Sequence, residues 1–487
     1  MVDHPHGVVV PLENGRRSSS ALGRAVVSTA LAGADPVGSH AAARETDWRR
    51  RYPDHFRRLV EAGLQGQSAA VGIARRGLGE VHARMRFAED GAGPRERPIA
   101  DVLAEQPARA LTTAVVQGRA EPEHELTIPF RGRRLSGDAL HRQLDRWVER
   151  GSMEPSAAAA VREVMEHPEW LSLPGRTMVV LGASSEMGPL QSLLRWGATV
   201  AAVDLPKRDL WRTTIDLAKR SAGSLLVPVF SEGLIEERAG ADLLHDLGAV
   251  GRWIGGLDGS LVLGNYVYAD GVVNLRLAVA VDAMTVWLGE QRGSDLALAF
   301  LATPTDVFGV PREVVEASER AYGAGRLTRA VRPAVRFISA GRLLRRNYAP
   351  GSDPGLNDSM VLQQGPNYLL AKRIQRWRAT VARRAGEQVS MLVAPPTRTR
   401  SVLKNRALAA AYAGAHRFGV EVFAPSTSNT LMAALLVHDL CASPPELDVP
   451  WREEAAKAVH GGLWRGPYDP RSALGIAVVL GIGRSRS

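Results

Sequence analysis

Residues 177–206 read TMVVLGASSEMGPLQSLLRWGATVAAVDLP. Met178 to Leu181 form a short apolar run of the kind a buried strand presents. The run passes into a turn of mostly small residues, Gly182-Ala183-Ser184-Ser185-Glu186-Met187-Gly188. Leu190, Leu193, Leu194 and Trp196 then recur at helical spacing, and Gly197 ends that helix. Thr199 to Val203 make a second apolar strand closing on Asp204. Strand, small-residue turn, helix, strand and acid is the layout of a dinucleotide-binding βαβ unit. Free N–H groups and the dipole at the helix N-terminus favour a pyrophosphate there. Asp204, about 20 residues past the turn, can accept hydrogen bonds from a ribose. The unit predicts an α/β fold with a Rossmann-type doubly wound parallel sheet.

A second stretch, residues 363–379, reads QQGPNYLLAKRIQRWRA and holds Tyr368 and Lys372 four residues apart. On a helix that spacing puts both side chains on one face, a turn apart. A phenol ionises only near pH ~10 in water, and a neighbouring ammonium lowers that value. The pair can then work as a general acid/base near neutrality. Taken alone, it is equally the ordinary face of a helix.

Together these stretches resemble the short-chain dehydrogenase/reductases. GASSEMG resembles that family's TGxxxGxG turn and YLLAK its YxxxK motif. Gln388-Val389-Ser390-Met391-Leu392-Val393-Ala394-Pro395-Pro396-Thr397 resembles the strand and Pro-Gly/Thr turn that follow the Tyr helix. Leu261-Val262-Leu263-Gly264-Asn265 resembles the strand ending in NNAG. The four pieces stand in the family's order and span residues 174–305 and 366–440. The chain departs from the pattern at Leu181 (for Thr), Glu186 (for the middle Gly), Tyr266 (for Ala) and Pro396 (for Gly).

The resemblance implies NAD as cofactor, with NADP possible. Gly182, Ser184, Ser185, Met187 and Gly188 would form the phosphate turn. Asp204 would hold the adenosine ribose, favouring NAD, although Lys207 and Arg208 stand beside it. Asp242 would touch the adenine, Asn265 would end the next strand, and Pro395 and Thr397 would cap the nicotinamide. Tyr368 would be the proton donor, with Lys372 lowering its pKa and contacting the nicotinamide ribose. Thr303 would orient the substrate carbonyl, with Thr305, Ser339 and Ser359 as rivals. Asn274 is a weaker match to a family Asn that holds a relay water, and equally a polar residue in a first helical turn. In relatives the apolar helix 272–289 and the Tyr368 helix build a homo-oligomer interface; its low polarity fits burial against another subunit or against the N-terminal domain.

The chain has 487 residues, where such a domain needs roughly 250. Residues 1–45 are expected as a disordered or loosely helical tail, and 46–170 as a mostly helical N-terminal domain. The Rossmann domain takes 171–487, interrupted by an insertion at 306–365. Either Gly475–Leu480 or Val420–Phe423 is expected to complete the sheet. Within the insertion, Ala321 to Arg346 holds seven arginines and no acid. Arginine forks suit carboxylates and phosphates, so the segment reads as a basic lid for an anionic substrate, or as a solvated helical face.

Apolar and charged fractions of 45% and 23% are those of a globular protein. The single cysteine, Cys441, precludes an internal disulfide, suits a cytoplasmic setting and is expected to be buried. No run of ~18 uninterrupted apolar residues predicts a spanning helix. A net charge of +10 admits nucleic acid, anionic membrane or anionic substrate as partner. No nucleic-acid motif is present, and His82, His124 and His141 lack metal-ligand spacing. The reading is an NAD(P)-dependent oxidoreductase interconverting a carbonyl and an alcohol. The alternatives are an NAD-dependent epimerase or dehydratase and, in another class, a non-catalytic dinucleotide-binding scaffold or sensor.

Overall fold

The computed structural model describes residues 6–89, 95–324, 326–442 and 447–482, and of 326–329 and 331 only the backbone. The N-terminal part includes the helices α1 (Ser19–Leu31), α2 (Trp48–Gly63) and α3 (Gln67–Arg84). The central strands follow as β1 (Thr112–Gln117), β2 (Arg176–Leu181), β3 (Thr199–Val203), β4 (Ser224–Val229) and β5 (Ser260–Asn265). After helix α4 (Gly271–Arg292) come β6 (Leu296–Ala302), α5 (Arg326–Ile338), α6 (Gly365–Arg384) and β7 (Val389–Val393). Helices α7 (Arg406–Gly414), α8 (Pro425–Cys441) and α9 (Pro470–Gly481) follow β7.

The sheet order is β7-β6-β5-β2-β3-β4-β1. Every pairing is parallel except β4 with β1. The order reverses at β2, so β3 and β5 diverge on either side of the small-residue turn. A ligand crevice is expected at such a switch point, beyond the carboxyl ends of the strands. This is the Rossmann-type α/β fold.

The strands are apolar on both faces because both are covered. Val179, Leu181, Ala201, Val203, Leu263 and Phe300 join the core containing α1–α4 and α6. Met178, Val180, Val200, Ala202, Val262 and Ala299 join a second core with α8, Trp196 and Trp211. Alternate residues of each strand serve opposite layers, as a period of two requires.

Several expectations need correction. Residues 1–45 are not a disordered tail as far as they are described. Ser18 caps α1 by accepting from Ala21 N at 3.1 Å, and Leu22, Val26, Ala30 and Leu31 are buried. Arg24, which interrupts this apolar segment, lies on the outer side and pairs with Glu13 at 3.2 Å. The region before residue 170 also supplies a strand. The β-branched Thr112–Gln117 stretch pairs antiparallel at the sheet edge, where it suits a pleated, half-buried surface.

Gly475–Leu480 is helical, within α9, so it does not complete the sheet. Phe423 makes only an isolated bridge with Thr397. Val335–Gly341, which imitates a strand ending in Ser, forms the last turn of α5 and the turn after it. Cys441 is partly rather than fully buried. Burial pushes its thiol pKa up.

Residues 271–295 are long and apolar enough to cross a membrane, although Arg276, Asp282 and Glu290 break the uninterrupted run. Most of this segment is packed inside the protein. The faces of α4 and α6 expected at a subunit interface meet the chain's own α1 and α3. Asp282 of α4 joins these layers. It accepts from Arg378 of α6 at 2.7 and 2.8 Å and lies 2.7 Å from His82 Nε2 of α3.

The insertion is bonded firmly to its surroundings. Val307–Val310 pairs antiparallel with Gly355–Asp358. Tyr348 donates to Trp464 O at 2.7 Å, Ser318 to Gly466 O at 2.6 Å, and Tyr52 of α2 to Leu362 O at 3.1 Å.

Candidate active site

Tyr368 and Lys372 occupy the first turns of α6, which packs on β6 and β7. β6 ends in the loop carrying Thr303, Thr305 and Asp306. Thr303 lies beside the Tyr368 phenol and 2.8 Å from Thr305 Oγ1. Gln364 Nε2 donates to Thr305 at 2.6 Å. A polar chain therefore runs Thr303–Thr305–Gln364 next to Tyr368. Tyr268 stands edge-on to the Tyr368 ring, 6.2 Å between centroids.

Burial pushes the Tyr368 phenol well above its ordinary pKa, with Thr303 opposing. Burial also pulls the Lys372 ammonium down to about 8, with Asp306 opposing. Lys372 Nζ donates to Leu301 O and Gln375 Oε1, both at 3.1 Å. Desolvation thus moves each group toward its uncharged form, opposite in sense to the lowering of the phenol pKa expected from Lys372. A neutral phenol is a proton donor.

Asp306 holds this arrangement in register. It is fully buried and accepts from Arg373 at 2.9 Å, Arg376 at 2.8 Å and Val307 N at 2.7 Å. Burial favours protonation of its carboxyl, but Arg373 and Arg376 outweigh that and hold it below the usual carboxylate range. The clamp joins the Thr303 loop to the helix bearing Tyr368.

At the sheet's switch point Gly182 has a φ of 81°, and a Cβ there would lie 2.9 Å from Tyr266 O. Only glycine fits that turn. Ser185 N donates to Gly182 O at 3.0 Å and Gly188 N to Ser185 O at 3.1 Å, folding the turn tightly. Met187 packs on the second core. Asp204 accepts from Ser184 N at 2.8 Å through one oxygen and from Leu205 N at 2.8 Å through the other. Ala241 N donates to Asp204 O at 3.0 Å, which brings Asp242 alongside. The Asp242 carboxylate accepts from Leu244 N at 2.8 Å. Asn265 ends β5, with its Oδ1 buried and unpartnered.

The Glu186 carboxylate is directed to the loop after β7. It accepts from Arg400 N at 2.8 Å and lies 3.4 Å from the Arg400 guanidinium. Pro395 O accepts from the Thr397 hydroxyl at 2.8 Å, and that hydroxyl also lies 2.7 Å from Ser428 Oγ. The Thr397 side chain is thus turned into the protein.

The serine rivals separate. Ser359 is buried, donating to Asn357 Oδ1 at 2.6 Å, and faces a cavity described next. Ser339 accepts from Leu343 N at 3.2 Å in the turn after α5. Asn274 Oδ1 accepts from Ala269 N at 3.1 Å, a local turn contact.

Beside the Thr303–Thr305 pair is a partly open cavity of about 90 Å³. Thr305, Ser359, Pro396 and Tyr412 line it, together with apolar residues of the insertion, α7 and α9. No arginine lines it. Of the basic stretch, Arg326 and Arg329 have side chains outside the described residues. Arg332 stacks over Tyr322 at 3.6 Å and donates to its carbonyl at 2.8 Å. Arg345 pairs with Asp469 at 2.9 Å, and Arg346 lies over Tyr322 at 4.5 Å.

Sequence reasoning passed over Gln364, Tyr268 and Tyr412. Gln364 is legible in the sequence, because it lies four residues before Tyr368. The other two reach the site only through the tertiary fold.

No protein-family model matches the chain. No curated protein matches it either. Among solved structures, it is similar to "The crystal structure of the terminal R domain from the myxalamid PKS-NRPS biosynthetic pathway", at 15% identity and a TM-score of 0.28. The match covers 54% of this chain and 61% of that one, so the chain spans less than two thirds of that structure's length. A likeness of this size assigns no activity.

Proposed function

We propose that this protein is an NAD(P)-dependent oxidoreductase that interconverts a carbonyl and an alcohol. The observation that carries the reading is the partly buried Tyr368 beside Thr303 and Thr305, next to a cavity at the carboxyl end of β6. The residues fit a dinucleotide at several points. Gly182 leaves the turn without a side chain, Asp204 lies at the end of β3, and the Asn265 amide oxygen is buried without a partner.

A reduced nicotinamide, when bound, supplies hydride to the carbonyl carbon. Tyr368 gives its proton to the carbonyl oxygen, which becomes the alcohol. Thr303 holds that oxygen beside the phenol. Lys372, while protonated, stabilises the phenolate left behind. Asp204 disfavours a ribose 2′-phosphate, and so favours NAD. Lys207 and Arg208 are exposed beside it and act in the opposite sense.

The Glu186–Arg400 contact favours a second reading, binding without turnover, because it puts a carboxylate beside the phosphate turn. Tyr368→Phe separates the two. Under the oxidoreductase reading it lowers kcat/KM for aldehyde reduction by roughly 10²–10⁴, with dinucleotide affinity unchanged. Equal turnover in Tyr368→Phe, or none in the wild type with any carbonyl tested, would favour the binding-only role.

A further inference from the structure

The cavity narrows the substrate class, and this step rests on the oxidoreductase reading. Its walls come from parts of the chain outside the core βαβ units. The insertion contributes Ser359, Met360 and Val361, α7 contributes Tyr412, and α9 contributes Leu474 and Ala477. Thr305 and Ser359 supply hydroxyls and two tyrosines supply phenols, while no Asp, Glu, Lys, Arg or His lines the space.

Thr305 connects this space to the reacting groups. It lines the cavity and lies 2.8 Å from Thr303, which stands beside the Tyr368 phenol. The cavity is firmly walled. A Cβ on Gly414 of α7 would lie 2.0 Å from Ala477 O of α9, and one on Gly481 would lie 1.8 Å from Ala410 O. The two helices therefore touch backbone to backbone.

We propose that the substrate is an uncharged carbonyl compound with an extended apolar body, such as a medium-chain aldehyde. The body fills this cavity and the carbonyl lies at the Thr303–Tyr368 end. A charged group placed in the cavity would lose its hydration without gaining a partner. An alkyl chain gains with each methylene buried, by about fourfold in affinity. The arginines of the insertion do not line the space, so the basic stretch does not define the substrate's chemistry.

The test uses the full chain and the straight-chain alcohols from butanol to decanol, titrated by calorimetry without cofactor. The proposal predicts affinity rising about threefold to fourfold per methylene. It also predicts loss of at least tenfold for decanol in Leu474→Asp, which puts a charge on the wall. Ala415→Trp, which fills the space, is expected to cost long alcohols more than short ones. Affinity independent of chain length in the wild type would overturn the proposal whether or not the variants fold.

The matching aldehydes are then offered with NADH. Chain-length-dependent binding with no reduction would retain the cavity assignment and remove the oxidoreductase reading. Reduction of pyruvate or acetoacetate, with no alcohol bound, would overturn the apolar assignment and leave the oxidoreductase reading in place.

Discussion

Lys372 and Glu186 are the two residues at which this site departs most from the pattern its sequence resembles. Burial pulls the Lys372 pKa to about 8. Below that value the ammonium can stabilise the phenolate formed at Tyr368, and above it the charge is lost. Carbonyl reduction should therefore fall as pH rises through about 8. In Lys372→Met this limb should disappear at a much lower rate. A wild-type profile level to pH 9.5, or the same limb in Lys372→Met, would contradict the role. Glu186 supports a separate expectation. Glu186→Gly removes a carboxylate beside the phosphate turn and frees Arg400, so dinucleotide affinity, read by fluorescence titration, should rise about fivefold to tenfold, or ~1 kcal/mol in a partly exposed geometry. A fall would mean that the contact supports the turn. The Tyr368 and Lys372 pairing was legible because four-residue spacing has local meaning on a helix. The direction of their pKa shifts was not, since burial depends on what the rest of the chain packs over them.

The helices around the sheet depend on buried ion pairs that join distant parts of the chain. Asp282 shows this best, binding Arg378 of α6 and His82 of α3 from the middle of α4. Burial raises its carboxyl pKa, but Arg378 and His82 more than offset that and hold it at about 2. A carboxylate whose folded pKa lies below its unfolded value adds stability at higher pH and loses it as pH falls through the folded value. Asp282 should thus stabilise fully above about pH 4 and progressively less toward pH 2. Asp282→Asn should cost about 3–5 kcal/mol at pH 7 in urea unfolding, because Arg378 loses its buried partner. The difference between variant and wild type should shrink as pH approaches 2. A cost under ~1 kcal/mol would mean that α3 is held mainly by apolar contact. Strands β2 to β7 were readable from their apolar runs, since each is covered on both faces. Thr112–Gln117 was not, because an edge strand with few buried residues carries a weak pattern. Gly475–Leu480 misled for a related reason. A short apolar run does not distinguish strand from helix, and here close contact with α7 decides the outcome.

At the level of the whole molecule, the N-terminal helices cover the face on which a second subunit was expected. The residues before 170 were legible as helical, but not as part of the same core, because that requires knowing that α1 and α3 meet α4 and α6. The insertion and C-terminal helices likewise close a cavity that no local motif announces. The order of the small-residue turn, Asp204 and the Tyr368 helix was visible in the sequence, and the fold brings them to the carboxyl edge of one sheet. The central claim is that this edge binds a nicotinamide dinucleotide. Fluorescence titration of the full chain with NADH and NADPH, on wild type and Asp204→Ala, tests it most directly. The account predicts saturable NADH binding in the wild type, tighter than NADPH, weakened about tenfold or more in the variant, as loss of a charged hydrogen bond of about 1.5–3 kcal/mol implies. Failure of both nucleotides to bind the wild type would contradict it.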